Sequence, residues 1–189
     1  MSERDTVLRS MHDTGLAAWF GGSLMGAVGL NSAAAEASSP AERLQIASAG
    51  WDRWAPVNAA AIGTHLVGAA GILASESGRV TAQRGVATMS IVKTALTAAA
   101  LGITAYSRLL GKKMEKADGA PTEGITEPTD ATPQDVSAAQ RQQRLVQWMI
   151  PVFTGALLVV SSLAGEQQKP RSVMRGVAAR IRTLVTPSS

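Results

Sequence analysis

Two histidines, a lysine and an aspartate are the residues of this chain best placed to move a proton or hold a ligand among apolar neighbours. His65 lies midway along one apolar run, Lys93 lies inside another, and His12 and Asp13 stand together at the edge of a third. An ionisable side chain in hydrocarbon is costly and tends to be retained for a role. Neutral imidazole is cheaper to bury than a charge. His65 therefore reads as a neutral hydrogen-bond partner for a neighbouring helix, a proton relay, a haem ligand or a substrate contact. Lys93 sits about seven residues, or about 10 Å, inside its run at helical rise. Its stem can snorkel to the nearer surface. Alternatively, His12, Asp13, Lys93 and His65 form a graded polar set of the kind proton carriers use. Asn31 and Asn58 complete the intramembrane polar candidates.

Composition removes most other chemistry. The chain has no Cys and only two His among 189 residues. Disulfides, thiolate metal sites and Cys nucleophiles are excluded, and a three-His zinc site cannot be built within one chain. No nucleophile elbow, P-loop or dinucleotide fingerprint occurs. No catalytic residue, metal site or cofactor is expected, with haem left open. At helical rise His12 and His65 differ in depth by about 15 Å, which prevents them from sharing one haem. A symmetric dimer could still offer two copies of His65.

Four apolar runs must position these groups: 14–35, 54–75, 86–107 and 145–165. Each is close to the roughly 20 residues a helix needs to cross a bilayer core. They are built from Ala, Gly, Ser and Thr more than from Leu, Ile and Phe, so mean hydropathy is only +0.09. A soluble bundle would need charged outer faces with apolar residues recurring at three and four. Runs 54–75 and 145–165 carry no Asp, Glu, Lys or Arg. The expected fold is all-α: a transmembrane four-helix bundle over 1–169, followed by a basic amphipathic tail over 170–189.

The connections have their own signals. Ser39-Pro40-Ala41-Glu42 reads as a helix start for a short interfacial helix stopping near Gly50. Trp51 and Trp54 suit the headgroup level, and Pro56 suits the first turn of the second span. Residues 76–84 read as a tight polar link. The segment 117–136 is expected to be disordered, because its middle, 118–135, is acidic and rich in Pro, Thr and Gly, with Ile125 its one large apolar residue. A capping box at 137–140 opens the last span, which Pro151 should kink. In the tail, Arg171, Arg175, Arg180 and Arg182 form the polar side of an amphipathic helix suited to an anionic membrane surface. A partner protein's groove is the competing reading. A secretory leader over 1–37 is the alternative for the first run, although Glu3, Asp5 and Asp13 fit it poorly.

Small residues supply helix packing. Gly22-x-x-x-Gly26, the row Ala60, Thr64, Gly68 and Ile72, and Ala95 with Ala99 would let helices approach closely. The net charge of +4 brings no nucleic-acid signature with it. The expected partners are the lipid bilayer, anionic headgroups and other membrane proteins. Basic residues outside the spans divide almost evenly between the two sides. Lys93 and the Arg-rich tail then favour both termini in the cytoplasm.

The stretch His12-Asp13-Thr14-Gly15-Leu16-Ala17-Ala18-Trp19-Phe20-Gly21-Gly22 resembles the opening of small bacterial four-helix membrane proteins related to copper-resistance components, and the Ala-rich composition resembles that of actinobacterial proteins. The resemblance implies a four-helix membrane fold. It implies no copper function, because the chain lacks the metal-binding residues. The expected role is a non-enzymatic accessory or partner-binding subunit of the cell envelope. The alternatives are a small proton-coupled carrier using His65 and Lys93, or a redox subunit binding haem or quinone.

Overall fold

The computed structural model describes residues 3–82, 84–117 and 119–166, with side chains over 5–75, 88–117 and 119–163. The basic tail over 170–189 lies outside the described residues. Helix α1 (Glu3–Met25) continues through a π-turn (Gly26–Leu30) into the short α2 (Asn31–Ala35). Then follow α3 (Arg43–Ala82), α4 (Arg84–Glu115) and α5 (Gln134–Glu166). Among the described residues the β structure is one isolated bridge, Thr122 with Pro128.

Three helices, α3, α4 and α5, are long and apolar enough to cross a membrane, which is compatible with an integral membrane protein. The first run does not meet that measure by itself. Its helix begins at Glu3 rather than near Thr14, so Arg9, His12 and Asp13 lie within it. It nevertheless runs antiparallel to α3 along its length. Glycines mark that contact. A Cβ on Gly15 would lie 2.5 Å from the Ala61 carbonyl, and one on Gly68 would lie 2.4 Å from the His12 backbone nitrogen. Higher up, a Cβ on Gly22 would strike the Trp54 ring and one on Gly26 the Trp51 ring. The Gly-x-x-x-Gly pair is thus a double socket for two indoles rather than a helix-on-helix crossing.

Several boundaries differ from those expected. The interfacial helix and the second span are one helix of 40 residues, about 60 Å at 1.5 Å per residue. Gly50 does not stop it; the place of a side chain there is taken by Leu30, at the end of the π-turn on the opposing arm of the helical hairpin. Pro56 falls inside this helix and leaves the Asp52 carbonyl without its usual donor. The polar link over 76–84 is helical up to Ala82 and again from Arg84. The last helix starts at Gln134, one turn before the capping box, directly after Pro133. The row of small residues on α3 meets α1 at Gly68 as expected, but one turn and two turns before it His65 and Ala61 face α1 in place of Thr64, whose hydroxyl bonds back to the Ala60 carbonyl on the exposed side, and Ala60, which is exposed. On α4, Ala100 is fully buried while Ala95 is exposed. Spacing alone finds a stripe of small residues but not which edge of it meets a neighbour.

In the segment expected to be disordered, residues 119–136 take a defined path against the helices. It cannot form a core of its own, so long donors from the helices hold its carbonyls instead. Arg43 donates to the carbonyls of Thr122 and Glu123 at 3.1 and 2.8 Å. Gln140 donates to Gly124 and Ile125 at 2.9 and 3.1 Å, and Arg144 to Thr126 at 2.9 Å. Ile125, 5 % exposed, anchors it in a cluster with Leu44, Leu110 and Val146.

Candidate functional site

Helix contacts are densest between α1 and α3 and between α4 and α5, and thinner between α3 and α4. Where α3 and α4 part, a chamber of about 410 Å³ opens. Ala47, Trp51, Trp54, Asn58 and Ile62 of α3 form one wall, and Leu101, Thr104, Ser107, Arg108 and Met114 of α4 form the other. Gln143 and Ile150 of α5 lie at its back and Ile125 of the ordered loop covers one end. The lining is largely apolar with a few amides and hydroxyls, the usual make-up of a small-molecule site of this size.

The chamber's polar groups divide into satisfied and unsatisfied. Trp51 Nε1 donates to Asn31 Oδ1 at 2.9 Å, and Asn31 Nδ2 donates to Gln147 Oε1 at 2.9 Å. This buried chain joins α3, α2 and α5. Gln143 Nε2 donates to Ser107 Oγ at 2.8 Å. Among the described residues, Trp54 Nε1, Asn58 Oδ1 and Gln143 Oε1 are buried without a partner. A buried polar atom left unpaired costs about 1–3 kcal/mol, so three of them around one chamber are unusual.

Ion pairs bridge α3 and α4 at the loop end of the chamber. Asp52 accepts from Arg108 Nη2 at 2.5 Å and from Lys112 Nζ at 3.3 Å, and Lys112 also pairs with Glu115 at 2.5 Å. Their side chains are 37–43 % exposed, and solvent screens pairs so placed. They fix the geometry of the rim more than they stabilise the bundle.

The histidines lie farther along the α1–α3 hairpin. Their ring centroids are 4.5 Å apart, contrary to the large depth difference inferred from the sequence. The inference failed because α1 begins at Glu3 and carries His12 well inside the hairpin. His65 Nδ1–H donates to the His12 carbonyl at 3.2 Å, and His12 Nδ1 bonds Asp13 Oδ1 at 2.8 Å. Haem does not fit this pair. Two axial imidazoles with metal–nitrogen bonds near 2.0–2.1 Å need centroids about 6 Å apart, with a porphyrin between them. Nor can His65 serve a second chain, since it is fully buried. Lys93 is half-buried on α4, and among the described residues no hydrogen bond or ring contact joins it to His65. No group of three or more potential metal ligands occurs among the described residues.

Comparison with protein-family models, curated proteins and solved structures finds no match to this chain. The geometry therefore carries the functional reading. Sequence reasoning singled out Asn31, Asn58 and His65, assigned Trp51 and Trp54 to the headgroup level rather than to a chamber wall, and missed Gln143 and the rim ions. The available signal was the two tryptophans three residues apart opposite a pair of glycines four residues apart.

Proposed function

We propose that the chain is an integral membrane protein of the cell envelope. Its role is to bind rather than to catalyse: it holds a small, uncharged, lipid-soluble molecule in the chamber between α3 and α4. The observation that supports the membrane reading most is an inverted polarity. Ile91, Leu145, Val152 and Val159 are 60–69 % exposed, while His65, Gln140, Asn31 and Thr154 are buried. A water-soluble bundle distributes these types the other way. Since α1 lies along α3, it crosses with it, which puts both ends of the four-helix unit on one side. We assign that side to the cytoplasm and the ordered loop to the opposite face.

The ligand class follows from the lining. Apolar walls and two indoles accept a flat or aliphatic body. A hydroxyl head would supply the donor that Asn58 Oδ1 or Gln143 Oε1 lacks and an acceptor for Trp54 Nε1, and a quinol belongs to this class, whereas the carbonyls of a quinone would pair with Trp54 alone. Access through the gap between α3 and α4 suits a molecule arriving from lipid. The binding component of a larger assembly would use such a site without any reactive cluster of its own.

The test is solvent extraction of protein purified in mild detergent, followed by mass spectrometry. Ala59, exposed at the chamber wall, is replaced in parallel by Trp to fill the space. A molecule that is stoichiometric with the native chain and absent from A59W supports the reading. Identical extracts from both proteins refute it. Recovery of the chain in the soluble fraction, without lipid or detergent, refutes the membrane assignment itself.

A second reading, a proton-coupled carrier, is favoured by one specific observation: the contact between His12 and His65.

A further inference from the structure

We infer that the chamber reads the oxidation state of its occupant: it holds a para-quinol and releases the corresponding quinone. This selectivity rests on the chamber being a ligand site, as proposed above, and adds which form of the ligand it keeps. The lining is short of hydrogen-bond donors. Trp51 Nε1–H is spent on Asn31 Oδ1, and Asn31 Nδ2 on Gln147 Oε1. Gln143 Nε2 is spent on Ser107 Oγ, and Arg108 Nη2 is turned onto Asp52 at the rim. Thr104 Oγ1 already accepts from Trp19 Nε1. Among the described residues, one buried donor of the lining is left without a partner, Trp54 Nε1, against two buried acceptors, Asn58 Oδ1 and Gln143 Oε1. An indole nitrogen can only donate and an amide oxygen can only accept, so the three cannot all satisfy one another.

The occupant has to bring donors. A para-quinone that takes up two electrons and two protons becomes a quinol, and its two carbonyl acceptors become two O–H groups that donate as well as accept. One quinol hydroxyl donates to Asn58 or Gln143 and accepts from Trp54, and the other offers a proton to the remaining amide oxygen. A quinone accepts from Trp54 alone and sets its other oxygen among acceptors that already lack donors. A site built to pair with a ligand O–H rejects the analogue without it, because its own polar groups are then stranded. The ring lies among the apolar walls of Trp51, Ile62 and Leu101. Ala59 and Ala105 line the chamber and are exposed, so a hydrocarbon tail leaves past small side chains into lipid. A tenfold preference for the reduced form raises the midpoint potential of the bound couple by about 30 mV. The chamber thus stores the reduced carrier and gives it up on oxidation, and the reaction that supplies its ligand is a two-electron, two-proton reduction of a quinone.

The test compares three probes of one shape. Full-length protein in lipid nanodiscs is equilibrated without oxygen with durohydroquinone, duroquinone or durohydroquinone dimethyl ether, and binding is measured by dialysis against empty nanodiscs. The expected result is durohydroquinone bound about tenfold or more tightly than either probe whose oxygens only accept. Asn58→Leu and Gln143→Leu each remove a stranded acceptor and narrow that ratio, and Ala59→Trp abolishes binding of all three. Equal affinities on the native chain, or tighter binding of duroquinone, overturn the selectivity and leave the chamber as a ligand site. So does a ratio that survives unchanged in both N58L and Q143L. No binding of any probe above that of empty nanodiscs, or undiminished binding by A59W, refutes the chamber site itself and the selectivity with it. The probe comparison on the native chain decides the matter even where a variant fails to fold.

Discussion

Replacing Gly68 by Ala tests whether α1 and α3 meet backbone to backbone. An added Cβ would lie 2.4 Å from the His12 nitrogen, 2.6 Å from the Leu8 carbonyl oxygen and 2.8 Å from the His12 Cα. All three atoms are main chain, so no rotamer change relieves the clash. Ordinary contact begins at 3.4 Å, and the helices must part by about 1 Å. Overpacking of this kind costs about 1–3 kcal/mol, with rigid backbone at the upper end. The helix propensity gained from Gly to Ala offsets about 1 kcal/mol. Net destabilisation is therefore about 2 kcal/mol. Gly63, five residues away on the same helix, provides the control, since its Cβ would meet nothing within 4 Å. There the same substitution is neutral or stabilises by about 0.5–1 kcal/mol. The gap between the two variants is thus about 2–3 kcal/mol, read by denaturant unfolding in mixed micelles with Trp fluorescence as the signal. Equal stability of Gly68→Ala and Gly63→Ala would show that the hairpin is not closely packed at that register.

Three further outcomes follow from other contacts. Ile125→Ala removes the loop's one large buried anchor and costs about 2–4 kcal/mol. If the loop opens locally, cleavage at Glu123 and Glu127 by a Glu-specific protease accelerates about thirtyfold or more, at 1.4 kcal/mol per factor of ten. An unchanged rate means the loop is held by its carbonyl donors alone. Asn31→Leu strands the Trp51 donor and the Gln147 acceptor together and destabilises by about 1–2 kcal/mol. A double-mutant cycle with Gln147→Leu should recover part of that loss. By contrast, Asp52→Asn leaves the unfolding midpoint nearly unchanged, because solvent screens the pairs it makes with the partly exposed Arg108 and Lys112. A larger loss would mean that the rim supports the bundle.

The helices were legible in the sequence because long uncharged runs have few other ways to satisfy their backbone in lipid. Their ends were less so. Gly50 and Pro56 look like punctuation, but Gly50 is a socket for Leu30 and Pro56 is carried inside a continuous helix. Local propensity could not see either. The loop was misread for a related reason. Composition shows whether a segment can bury itself, whereas Arg43, Gln140 and Arg144 reach it from distant helices. Asn31, Asn58 and His65 stood out as polar atoms in apolar runs. Their partners did not, since the pairing of His12 with His65 depends on the hairpin register, and that register is set by glycines whose neighbours lie some fifty residues away.

The π-turn at Gly26–Leu30 has a consequence for everything beyond it. A π-turn is one residue wider than an α-turn, and one residue is worth about 100° of rotation about the axis. It acts as a phase shifter between two stretches that must each aim correctly: glycines toward the tryptophans before it, and Asn31 toward Trp51 and Gln147 after it. Deleting Gly29 would remove the extra residue together with the wide turn and leave Asn31 near its line, whereas regular α-helical winding of the full chain would swing it by about 100°. The wide turn thereby sets the azimuth of the chain's central amide.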